Sequence, residues 1–94
     1  MTTIALLTLD VHLPNAQSLK DKRMVVRRVK DRLRSKFNVS VAETAHQDLW
    51  QRAEISVATI ASDEAYSRQT LQLALEDAER SAPECTVQGN IEIV

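Results

Sequence analysis

Apolar and polar positions along the chain alternate with a period of two in four segments and recur every three to four residues in two others. Residues 4–13 (IALLTLDVHL) are rich in β-branched and apolar side chains and end at Pro14, which a central strand could not contain. Ser18-Leu19-Lys20-Asp21 has the form of a capping box and predicts a helix from there to about Lys36. Val26, Val29, Leu33 and Phe37, three or four apart, form its buried stripe. VSVAETA (39–45) and AEISVATIA (53–61) read as two strands joined around His46–Gln51, with Val39 and Val41 on one face of the first and Ile55 and Val57 on one face of the second. Ser62 is the expected cap of a second helix, opened by Asp63-Glu64, lined by Leu71, Ala74, Leu75 and Ala78, and ended by Pro83. The tail TVQGNIEIV sets Val87, Ile91 and Ile93 against Gln88, Asn90 and Glu92, and Gly89 reads as a bulge.

The order βαββαβ predicts a single ferredoxin-like α+β domain over residues 1–94, with two helices on one face of a four-stranded antiparallel sheet. Right-handed crossovers give the strand order 4-1-3-2, with strands one and three central. Hydrophobic residues make up 44% of the chain, with one Gly and two Pro, so it is globular rather than disordered. Cys85 is the only cysteine, which excludes an internal disulfide. The start MTTIALLTLD lacks the basic flank and long apolar stretch of a secretory signal, and no apolar run approaches a membrane span, so a cytoplasmic location with no membrane partner is the expectation.

Charge changes this picture most. Nine of the twelve Lys and Arg residues lie between Lys20 and Lys36; less Asp21 and Asp31, that segment carries +7 in a chain whose net charge is −1. Arg23, Arg27, Lys30 and Arg34 fall on one flank of the first helix, and Arg28, Arg32 and Lys36 form a second row. Cations in a first turn oppose the helix dipole, so stability alone would not place Lys20, Lys22 and Arg23 there. With free amides and Ser18 beside them, they form a candidate anion site. The candidate RNA-binding residues are Ser18, Lys20, Lys22, Arg23, Arg27, Arg28, Lys30 and Arg34. Four phosphate contacts from the outer flank would give a logarithmic salt slope near −3 on a single strand, at about −0.7 per contact. The competing reading is a solvated basic face balanced by Glu76, Asp77 and Glu79 of the second helix.

Other chemistry is sparse. The two central strands hold no Phe, Tyr or Trp, which rules out base stacking on the open sheet face. Asp10 and His12 share a strand face, but His12, His46, Asp10, Glu43, Asp48 and Cys85 show no metal-ligand spacing, so no catalytic residue, metal or other cofactor is expected. Trp50, in HQDLWQR, is expected to cover the end of the core; an exposed contact for a protein partner is its other reading.

SLKDKR (18–23), KFNVSVAE (36–43) and QDLWQRA (47–53) resemble the YlxP-like family, small bacterial proteins of unassigned biochemical function. The resemblance implies a ferredoxin-like sandwich and a genomic setting beside translation factors and a ribosome-maturation factor. Ribosomal or other RNA is then a sensible partner class. It supplies no catalytic residues, and where members usually carry an acidic residue this chain has Ala45. The functional expectation is a non-enzymatic accessory protein that docks its basic helix on RNA or the ribosome. The alternative is a homo-oligomeric interaction or regulatory module, for instance a homodimer, meeting its partner through the sheet face or the Trp50 turn. A weaker third reading is an enzyme or small-anion sensor built on Ser18–Arg23.

Overall fold

The computed structural model describes residues 1–94 and has the expected element order: β1 (Thr3–His12), α1 (Leu19–Lys36), β2 (Ser40–Ala45), β3 (Arg52–Ala61), α2 (Glu64–Ser81) and β4 (Thr86–Ile93). The four strands form one antiparallel sheet in the order β2-β3-β1-β4, which is 4-1-3-2 read from the other edge. This is the ferredoxin-like fold.

The strand alternation decides which side is covered. Ala5, Leu7, Leu9 and Val11 of β1 and Ala53, Ile55 and Val57 of β3 point beneath the helices and are buried. Val26, Val29 and Leu33 of α1 and Leu71, Ala74 and Ala78 of α2 close the core from above, with Leu75 partly buried at its margin. α1 lies over β2 and β3 while α2 lies over β1, β3 and β4, so one flank of α1 meets α2 and the other overhangs the β2 edge. That asymmetry divides the basic residues of α1 into two populations.

Two local expectations need correction. Asp63, not Ser62, caps α2: its carboxylate accepts from the Tyr66 amide at 3.1 Å, and its extended backbone (φ −131°) places the helix start one residue later. Gly89 lies in an unbroken register opposite Leu9 and forms no bulge. A Cβ there would sit 2.8 Å from Leu75 Cδ1 and 3.1 Å from Leu7 Cδ1, so the missing side chain makes room for core methyls. The bulge is instead in β2, where the register slips between Glu43 and Ala45, immediately before the turn to β3.

Candidate nucleic-acid interface

The basic row of α1 that faces α2 is paired within the protein, its three cations sharing the carboxylates of Asp77 and Glu84. Asp77 is 0% exposed and takes Arg32 Nε on both carboxylate oxygens (3.2 and 3.0 Å) and Lys36 Nζ at 3.0 Å. Arg80 of its own helix stands 3.7 Å away. Burial opposes ionisation of this carboxyl, but the hydrogen bonds and charges of Arg32 and Lys36 prevail and hold its pKa below the ordinary aspartate value. Arg28 donates to Glu84 at 2.6 Å, and that bond, foremost, lowers the Glu84 pKa. The intramolecular balance therefore comes from Asp77 and Glu84. Glu76 is bonded instead to Gln72 Nε2 at 3.2 Å.

The outer row is different. Arg23, Arg27 and Lys30 have no carboxylate within ion-pair distance, and Arg34 is only partly engaged, donating to the Val41 carbonyl at 2.7 Å with Asp31 3.9 Å away. These four cations line a shallow groove of about 240 Å³ between α1 and the β2 edge, together with Val26, Asp31 and Glu43. From Arg23 to Arg34 the row runs roughly 16 Å along the helix axis, at about 1.5 Å per residue. Like charges four apart repel by a few tenths of a kcal/mol on an isolated helix, so the row brings no gain in stability by itself.

The helix start does not form the anticipated anion cradle. Ser18 Oγ accepts from the Asp21 amide at 3.0 Å, and Asp21 reaches back to the Gln17 amide at 3.0 Å. A carboxylate thus already occupies the positive end of the helix. Lys22 turns inward and is 1% exposed, so its assignment to an external anion is corrected: its ammonium belongs to the protein's own turn. It donates to the carbonyls of His46 (2.7 Å), Gln47 (3.2 Å) and, more weakly, Arg52 (3.4 Å). Glu43 Oε2 lies 3.0 Å from the same nitrogen, an ion pair by distance whose alignment falls short of a hydrogen bond. Lys20 remains exposed beside Arg23.

Lys22 thereby fixes the β2–β3 turn onto α1. Leu13 N–H donates to Gln51 O at 3.0 Å, Gln51 Nε2 donates to the carbonyls of Pro14 (3.3 Å) and Ala16 (3.1 Å), and His46 sits at φ +64°, in the left-handed region. On this braced turn Trp50 is 52% exposed and Leu49 47%. The expectation that Trp50 covers the end of the core is corrected: Leu13 and Ala16 are buried at that end, and the indole stands out in solvent. Asp48, Leu49, Trp50, Gln51 and Arg52 line an open cleft of about 510 Å³.

Elsewhere the chemistry is structural. Asp10 bonds Arg52 Nε at 3.2 Å and lies 3.7 Å from His12 Nε2, a polar network on the open sheet face. Burial, with Glu84 beside it, raises the Cys85 pKa, which makes the thiol less reactive. No three His, Cys, Asp or Glu side chains converge to hold a metal, and no helix is long and apolar enough to cross a membrane. The site member that pattern reading missed is Glu43. It continues the inward-facing series Val39, Val41, and an acid in that register calls for a buried cation.

Comparison with known proteins agrees with this fold. Several solved structures share the fold at low identity and so bear on architecture alone. A de novo designed ferredoxin-fold protein matches with TM-score 0.56 and 17% identity, over 98% of this chain and 85% of that one. The C-terminal segment of the α subunit of aIF2 from Pyrococcus abyssi gives TM-score 0.56 and 17% identity, over 99% of this chain and 49% of that one. A dinuclear metal-binding peptidase of the M20 family from Bacillus subtilis gives 0.62 and 9%, over 99% of this chain and 26% of that one. In sequence, the uncharacterized protein YlxP of Bacillus subtilis (strain 168) is 41% identical over 61 residues, which is 65% of this chain and 66% of that protein. Residues 4–89 match the family model described as protein of unknown function (DUF503), and the chain belongs to that YlxP-like family.

Proposed function

We propose that this protein is a non-enzymatic RNA-binding accessory factor that lays the outer flank of α1 along the phosphate backbone, in the cytoplasmic setting of ribosome assembly or translation. The observation that carries the reading is the segregation of charge on one helix. Arg28, Arg32 and Lys36 are each ion-paired, to Glu84 or to the shared Asp77, whereas Arg23, Arg27 and Lys30 have no such partner and line one groove. Cations left unpaired along one edge act through steering and counterion release, which need no aromatic platform on the sheet. Contacts to phosphate give affinity and register without sequence preference. Co-sedimentation with ribosomal subunits at two salt concentrations tests this. The parent chain should pellet at low salt and be released at high salt, and Arg23→Glu with Arg27→Glu should abolish pelleting; a double variant that pellets like the parent would refute it.

The homo-oligomer reading has one observation in its favour. Ile4 and Ile60 are paired neighbours on the open sheet face, both exposed, with Leu6 and Ala58 beside them. Sedimentation equilibrium over a hundredfold range of protein concentration would reveal a dimer, and a constant monomer mass would exclude it.

A further inference from the structure

We propose that Trp50 stacks an unpaired base, so that the β2–β3 turn is the single-strand-reading end of the α1 row; the inference rests on the RNA-binding reading above. Three observations converge. First, the turn exposes its apolar residues although it is tied down at both ends: the Lys22 ammonium, the Leu13 amide and the Gln51 carboxamide together donate to six of its own or adjoining carbonyls. An aromatic ring on so restrained a support loses little freedom on binding, which is what makes a stacking platform effective. Second, the tie is made to α1 itself. Lys22 precedes Arg23, where the cationic row begins, and Glu43 both lines that groove and accepts, at its carbonyl, from Gln47 of the turn (3.3 Å). A backbone followed along the row thus reaches the turn at the end of the groove. Third, the turn residues Asp48 to Arg52 line an open cleft of about 510 Å³ beside the indole, a volume that admits a nucleobase.

A base fits this place better than a protein segment because the neighbouring surface is a file of unpaired cations complementary to phosphate, and the apolar area at Leu49–Trp50 amounts to two side chains. Stacking also distinguishes strand states: a paired base in a duplex offers no free face, while the row contacts phosphate in either form.

Trp50 is the only tryptophan, so its emission reports on this site alone. The test uses the full chain with a 12-nucleotide oligoadenylate and an RNA duplex of the same length. Fluorescein anisotropy measures binding, and unlabelled RNA is used to follow Trp50 emission. The single strand should quench Trp50 and the duplex should bind without quenching. Trp50→Leu should weaken single-strand binding roughly tenfold, while Trp50→Phe restores most of it. Unchanged duplex affinity in both variants shows that the fold and the row are intact. Salt-dependent binding of the single strand with no change in Trp50 emission and no effect of Trp50→Leu would overturn the stacking inference and leave the row intact. Failure of both RNAs to bind at low salt would overturn both readings.

Discussion

Replacing Lys22 with Met is the sharpest test of the buried clasp. The substitution keeps most of the aliphatic stem in place and deletes only the ammonium, which is 1% exposed and serves three carbonyls and Glu43. What remains is a carboxylate oxygen with no other partner and two short carbonyl contacts unmade. Removing one member of a buried charged pair costs about 3–5 kcal/mol, because the other charge stays behind uncompensated. The 17% exposure of the Glu43 side chain allows some rehydration and places the expectation at the lower end, about 3 kcal/mol. For a domain of this size that loss lowers Tm by roughly 12–24 °C, at about 4–8 °C per kcal/mol. Urea unfolding followed by circular dichroism should show the midpoint fall with an unchanged slope, and Lys22→Met with Glu43→Leu should recover part of the loss. Arg23→Met, one residue away and exposed, is the control and should change stability by less than about 0.5 kcal/mol. A Lys22→Met protein as stable as the control would refute the clasp and return Lys22 to the surface.

Leu33→Ala should cost about 2–5 kcal/mol in the same urea assay, since Leu33 is fully buried between α1 and the sheet. Asp77 governs the acid limb of stability. Its folded pKa is depressed, so its contribution is fully present above the unfolded value of about 3.9 and is lost as pH falls through the lower folded value; wild-type stability should decline below about pH 4, and Asp77→Asn should flatten that decline while lowering stability at pH 7. Glu84 adds in the same direction through Arg28, so an Asp77→Asn profile that falls as steeply as the parent's would contradict the assignment.

The elements were legible because each carries its own period. Alternation in IALLTLDVHL and AEISVATIA fixed which faces are inward, and the three-to-four spacing of Val26, Val29 and Leu33 fixed the buried stripe of α1. The two basic rows could also be drawn from helical geometry. Their different fates could not, because pairing depends on which neighbour each flank meets, and that follows from the placement of α2. Lys22 shows the same limit: its spacing puts it one turn before Val26 on the buried stripe, yet its charge argued for solvent until the carbonyls of a turn 24 residues later supplied a polar pocket. Trp50 failed in the opposite sense, since its size argued for burial while Leu13 and Ala16 already fill that end of the core. SLKDKR, KFNVSVAE and QDLWQRA, scattered along the chain, supply Lys22, Glu43 and the clasped turn, and they meet at one place.

The salt dependence of RNA binding tests the central claim most directly. Arg23, Arg27 and Lys30 stand free while Arg34 is partly held by the Val41 carbonyl, so the outer row should neutralise about three phosphates rather than four. The logarithmic slope for a single strand is then about −2, at roughly −0.7 per contact. Arg23→Gln, Arg27→Gln and Lys30→Gln together should bring that slope close to zero with the urea midpoint unchanged. Neutralising Arg28, already committed to Glu84, should leave it near −2. A triple variant that retains the parent slope and affinity would contradict the account.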